Sequence, residues 1–176
     1  MTDPITEILR AEGGYTDDPA DKGNWFKGRL VGTNRGITGE TLSAWLGRDV
    51  TAEDVRSISE DLAREIYETR YLKKPGIDAL PEPPRNCVLD IAVNSGPSRA
   101  IKMLQTCLAR LGLPCKADGQ LGPQTLSLVR SVEAGDLLNT LVDERVRFYK
   151  AIVTNDNTQQ KYLRGWIKRA ESYRAS

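Results

Sequence analysis

Between Gly13 and Gly36 the chain is too rich in glycine to continue a helix. The segments on either side have helical periodicity. Gly13 and Gly14 stop one helical pattern, and Gly23, Gly28, Gly32 and Gly36 punctuate the next two dozen residues. Glycine costs a helix more than any residue except proline, and it marks turns. Short strands around residues 27–31, with turns elsewhere, are the reading of this stretch. The expected class is therefore mainly α, with a small β- and loop-rich N-terminal lobe.

The flanking segments carry their own signals. Asp3 before Pro4 supplies a side-chain cap and then a proline at the first helical position. Ile5, Ile8, Leu9 and Glu12 continue at helical spacing, so Glu12 falls near the apolar face, where an acid can be half-buried. From residue 38 the pattern is helical again, with Thr51 and Asp54 spaced as a cap and its third helical residue. Pro75, Gly76, Pro81, Pro83 and Pro84 punctuate a connection in which Ile77 and Leu80 are apolar anchors. Residues 87–94 are the most apolar run and read as a central helix. Asp90 inside it requires a partner. Further helices are expected around Ile101–Leu111, after Gly122-Pro123, around Leu137–Ile152, and from Tyr162 to Tyr173. Trp166 and Tyr162 share an apolar face of that last helix and are expected in the core.

A chain of 176 residues can bury one core without metals or disulfides, so residues 1–176 are expected to form one domain. Twenty-five basic against 24 acidic residues leave a net charge of +1, which is not the footprint of a nucleic-acid binder. Three cysteines, Cys87, Cys107 and Cys115, cannot all pair within one chain, and their spacing forms no metal-binding pair. The absence of histidine removes imidazole acid–base chemistry and His-based metal sites, leaving carboxylates as the main candidates for catalysis. No cofactor and no metal are expected. The opening Met-Thr-Asp-Pro has no basic segment followed by an apolar run, and no apolar run is long enough to span a membrane. The expectation is a monomer without membrane insertion, held in the cytoplasm before release.

Glu12 and Asp21, with eight residues between them, are a candidate carboxylate pair. Cleavage of a glycosidic bond needs such a pair: one acid protonates the leaving oxygen, and the other acts as base or nucleophile. A plain surface glutamate is the alternative for Glu12. Trp25 has two readings, as core of the small lobe or as a ring facing a sugar. Arg145 is a candidate to orient a buried acid, either Glu12 or Asp90.

Glu12-Gly13-Gly14-Tyr15, Asp18-Pro19, Asp21-x-Gly23 and Thr33-x-x-Gly36-Ile37-Thr38 together resemble the glycoside hydrolase family 108 muramidases. The likeness continues through Asp90-x-x-Val93-Asn94-Ser95-Gly96, Leu104-Gln105 and Asp118-Gly119-x-x-Gly122-x-x-Thr125 to Phe148-Tyr149 and Lys161-Tyr162-Leu163-x-Gly165-Trp166-x-x-Arg169. The order Glu, Asp, Thr is also similar to that of T4-type phage lysozymes. The resemblance implies a lysozyme-like, two-lobed fold, with Glu12 as catalytic acid, Asp21 as second acid and Thr33 as the threonine that closes the motif. It also implies that Tyr15, Asn94, Ser95 and Gly96 line the substrate. In the family the aspartate is often followed by Gly-Gly-x-Thr, whereas here a longer path through Gly23-Asn24-Trp25 leads to Thr33. Residues 97–176 resemble a peptidoglycan-binding segment integrated in the fold. The 118–125 motif reads either as a substrate contact or as a structural turn.

The function implied is an N-acetylmuramidase that hydrolyses the β-1,4 bond between N-acetylmuramic acid and N-acetylglucosamine in bacterial peptidoglycan. A phage endolysin, needing a holin to reach the wall, and a bacterial secretion-linked muramidase both fit. A lytic transglycosylase and a non-catalytic peptidoglycan-binding protein stand as alternatives.

Overall fold

Asp3 and Pro4 start the first helix as their residue types require. In the computed structural model, which describes residues 3–175 apart from the side chain of Ala11, helix α1 runs Pro4–Ala11. The Asp3 carboxylate accepts hydrogen bonds from the Ile5 and Thr6 amides. Its apolar stripe buries Ile5, Ile8 and Leu9, and Gly13 leaves the helix with a positive φ of 68°. The chain divides into two compact units, Met1–Arg70 and Tyr71–Ser176.

The N-terminal unit contains two successive hairpins of two-residue strands. Strand β1 (Trp25–Phe26) pairs antiparallel with β2 (Arg29–Leu30), and β3 (Thr33–Asn34) with β4 (Ile37–Thr38). Each is closed by a two-residue turn with both positions left-handed: Lys27 (φ 48°) and Gly28 (φ 75°), then Arg35 (φ 51°) and Gly36 (φ 74°). Such turns match the right-handed twist of the strands. Of the strands expected around 27–31, only Arg29–Leu30 lies there; Lys27 and Gly28 form the turn, and the partner strand precedes them. The second hairpin replaces what reads in the sequence as turns.

Two buried asparagines join the hairpins to their surroundings. Asn24 donates to the Asp18 carbonyl, while its own main-chain carbonyl accepts from the Val31 and Gly32 amides. The Asn34 side-chain amide donates to the Val55 and Arg56 carbonyls at 2.9 and 3.0 Å. Helices α2 (Gly39–Leu46), α3 (Ala52–Arg56) and α4 (Glu60–Tyr67) complete the unit. α3 carries the reciprocal cap expected from Thr51 and Asp54, and α4 packs on α1. α4 runs into a wider, π-helical stretch, Glu68–Lys73.

The C-terminal unit is helical: α5 (Pro84–Ser95), α6 (Pro97–Arg110), α7 (Pro123–Arg130), α8 (Ala134–Asn155) and α9 (Gln160–Glu171). Three of these start on a proline, where the missing N–H costs nothing. Ile77 and Leu80 anchor the preceding connection, both buried. α5 lies against α6 and α8, and α9 against α8. Tyr162 departs from expectation: it is 48% exposed, outside the core. Trp166 is half-buried, its ring centre 5.3 Å from that of Tyr149 and 5.8 Å from that of Tyr162, one turn nearer the start of α9. The fold is mainly α and lysozyme-like, with its β structure confined to the small N-terminal hairpins. Among the described residues, no helix is long and apolar enough to cross a membrane.

Candidate active site

Glu12 is the residue on which α1 ends, its amide bonded to the Ile8 carbonyl at 2.9 Å. It is exposed, not half-buried as its helical phase suggests. The chain leaves the helix at this residue, so its side chain escapes the apolar stripe that Ile5, Ile8 and Leu9 bury. After Gly13 and Gly14 the backbone joins the second hairpin. Thr16 and Thr33 exchange both amide–carbonyl hydrogen bonds, each 2.8 Å. This bridge holds the segment after Glu12 against β3. The Glu12 carboxylate then lies beside Gly36: a Cβ placed there would fall 2.8 Å from Glu12 Oε2 and 2.3 Å from the Tyr67 hydroxyl.

Asp21 and Thr33 meet at a single residue. The Asp21 carboxylate accepts from the Gly23 amide at 2.8 Å, and the Thr33 hydroxyl donates to the Gly23 carbonyl at 3.4 Å. The longer path from Asp21 to Thr33 is therefore a folded loop whose two ends close on Gly23. Asp21 is exposed and also caps the short turn Lys22–Asn24.

The two aromatic candidates in this unit differ in setting. Tyr15 packs on Gly32, where a Cβ would fall 2.5 Å from its ring. Its hydroxyl donates to the Val31 carbonyl, and the Arg56 guanidinium lies 4.8 Å from its ring centre. Trp25 is 44% exposed, with its indole N–H donating to the Pro19 carbonyl at 3.0 Å. That bond fixes the indole beside the Asp21 turn.

Asn94, Ser95, Gly96 and Arg145 belong to the C-terminal unit. The Asn94 side chain donates to the Asp90 carbonyl one turn back, at 2.6 Å. Ser95 and Gly96 border a surface concavity of about 350 Å³, with Pro97, Ser98, Arg99 and Lys102. Arg145 is 1% exposed and pairs with fully buried Asp90, which answers which of two acids it meets. Its Nε donates to the Tyr149 hydroxyl at 2.8 Å. Arg169 also bonds Asp90, through Nε at 3.0 Å and Nη2 at 2.6 Å. One carboxylate thus ties α5, α8 and α9 together. The apolar setting of Asp90 announces a partner, whereas Arg169 shows in the sequence only as the last residue of the C-terminal likeness.

The 118–125 motif closes on a residue outside it. Gln105 is 1% exposed on the inner face of α6. Its side-chain nitrogen donates to Asp118 Oδ1 (2.8 Å), the Gln120 carbonyl (3.0 Å) and the Thr125 hydroxyl (3.2 Å), and its oxygen accepts from the Gly119 amide (2.8 Å). The Gln105 hydrogen bond, followed by that of the Gln120 amide, holds the Asp118 carboxyl below the usual carboxylate range. The sequence carries two signals for Gln105: it stands in the Leu104-Gln105 pair of the family resemblance, and a glutamine between Ile101, Leu104 and Leu108 on an apolar face requires partners.

Glu12 and Asp21 are both exposed and both belong to the glycine-rich N-terminal unit. Comparison with known proteins makes the class definite. Residues 5–96 match the glycosyl hydrolase 108 family, and residues 99–171 match a predicted peptidoglycan domain. The structure of SagA from Brucella abortus is similar, with 35% identity and a TM-score of 0.70, over 96% of this chain and 88% of that one. Comparison with curated proteins gives no match. The chain belongs to glycosyl hydrolase family 108: it is a glycoside hydrolase joined to a peptidoglycan domain, and peptidoglycan is its partner.

Proposed function

We propose that this hydrolase is an N-acetylmuramidase that cuts the β-1,4 bond after N-acetylmuramic acid, with Glu12 as the general acid. The observation that carries the reading is the Glu12 carboxylate at the end of α1, exposed and set beside Gly36 of the second hairpin. A general acid must reach the glycosidic oxygen, and an exposed carboxyl on a braced backbone can do so. Asp21 positions or deprotonates the attacking water, and Thr33, joined to it through Gly23, holds that loop in place. The reaction then inverts the anomeric centre, which requires room for water between the carboxylates. Tyr15 and Trp25 border the substrate on this lobe, and Asn94, Ser95 and Gly96 bind it on α5. Arg145 acts by holding Asp90, and so the frame of α5. Residues 1–176 work as one catalytic domain, in which 97–176 is an integrated wall-binding part. The protein acts as a monomer without a cofactor, as a phage endolysin that waits in the cytoplasm for a holin.

The test is digestion of purified peptidoglycan in excess EDTA, with mass spectrometry of the reduced muropeptides. Reducing N-acetylmuramic acid ends support the muramidase. Anhydro ends would make it a lytic transglycosylase, and intact glycan that retains the protein would leave only binding. Genes beside its own for a holin would support the endolysin role, and a secretion cluster would contradict it.

A further inference from the structure

We propose that Arg99 and Lys102, on the outer face of α6, form an anion-binding site that takes the stem-peptide carboxylates of peptidoglycan. This rests on the reading of Ser95 and Gly96 as substrate contacts and names what the wall polymer meets beside them. Two concavities adjoin on this face. The one bordered by Ser95 and Gly96 shares Arg99 and Lys102 with a second, of about 340 Å³, to which α8 contributes Glu144, Arg147 and Phe148. Arg99 and Lys102 stand three residues apart on one face of α6, and both are exposed.

Among the described residues, no carboxylate pairs with either cation. Glu144 is the one carboxylate that borders the two concavities, and it is already bonded to Arg147 at 2.7 Å and Arg110 at 3.1 Å. Both cations are nevertheless held in place. The Arg99 guanidinium lies over the Phe148 ring, 5.2 Å from its centre. A guanidinium over a ring face keeps N–H groups free to donate to a carboxylate. The Lys102 side chain passes Gly119, where a Cβ would fall 3.1 Å from its Cε, and the Gly119 amide is fixed by the Gln105 side chain. The 118–125 turn thus backs Lys102. The wall polymer carries the matching charge. Its N-acetylated sugars are neutral, and the muramic acid carboxyl is taken up in the amide to the stem peptide, so its free carboxylates belong to the stem peptides. A glycan strand lying on Ser95 and Gly96 brings a stem peptide to the next turn of α6. Met103, Phe148 and Ala151 give the second concavity an apolar lining suited to alanine methyl groups.

The test is calorimetric titration of the full protein with the disaccharide tetrapeptide of peptidoglycan, and with the same compound after its carboxylates are converted to carboxamides. No bond is cut, so the digestion described above judges the muramidase reading separately. The parent is expected to bind the acid form about tenfold more tightly than the carboxamide form, the scale of a lost charge-assisted hydrogen bond. The variant Arg99→Gln with Lys102→Gln should bind both forms equally, at the weaker level, with an unchanged melting temperature. A parent that does not bind the acid form at millimolar concentration, or binds both forms alike, would overturn the proposal. So would a variant that still prefers the acid form, or a parent that binds a glycerol-phosphate teichoic acid more tightly than the acid form. If the double variant does not fold, Lys102→Gln alone decides by the same ratio.

Discussion

Cys87 and Cys107 are buried, and burial pushes both thiols up to about 12. A thiol so shifted carries almost no thiolate at neutral pH and is inert. Cys115 is partly exposed, in the loop after α6. Titration with a thiol reagent at pH 8 should therefore label Cys115 alone in the native protein and all three cysteines in denaturant. Rapid labelling of Cys87 without unfolding would contradict the burial. Single residues differ in how much of their role the sequence reveals. Asp3, Pro4 and Asp90 are legible because a cap, a helix start and a charge in an apolar run each have one physical explanation. Tyr67 is not, since it bonds the Arg35 carbonyl 32 residues away, and Gln105 is legible as a residue that needs partners but not as to which, one of them lying 15 residues away. Helical phase misplaces Glu12 because it says nothing at the residue where the helix stops.

The elements that frame Glu12 depend on charge as well as packing. Burial works against the Asp3 carboxylate. Hydrogen bonds from Arg64, then Thr6 and the α1 amides, outweigh it and hold the group below its usual 3.8. A carboxylate depressed in the folded state stabilises it fully above the unfolded value. That stability is lost as pH falls through the lower folded value. The gap in melting temperature between the parent and Asp3→Asn should therefore be constant at neutral pH and shrink below about pH 4. A gap that persists into acid would show that the Asp3 charge does not brace α1. Among the elements, the long helices are legible from their apolar spacing and their Pro and Gly punctuation. The β3–β4 hairpin is not: two-residue strands are too short to show alternation, and Arg35 occupies a left-handed position where glycine or asparagine is the usual signal.

Across the whole chain, the family segments and the compact units divide it in different places. The hydrolase segment ends at residue 96, after α5, but the N-terminal unit ends at Arg70. α5 therefore packs with the peptidoglycan segment, and its Asp90 is held by Arg145 and Arg169 from α8 and α9. Residues 1–96 alone would leave Asp90 without those partners. Such a fragment should show no cooperative thermal transition by circular dichroism, and a sharp one would mean that the hydrolase segment folds by itself. Within the full chain, Asp90→Ala leaves Arg145 buried and uncompensated. The expected cost is about 3–5 kcal/mol in denaturant unfolding. Composition and the lack of histidine already point to carboxylate chemistry, but no sequence pattern shows where one compact unit stops. Everything proposed for the reaction depends on Glu12 being the acid of a glycan-cutting enzyme. The decisive quantity is the rate at which reducing N-acetylmuramic acid ends appear with the parent and with Glu12→Gln, both checked for an unchanged fold. A loss of at least ~10²-fold is expected in the variant; near-parental release of those ends would refute the assignment.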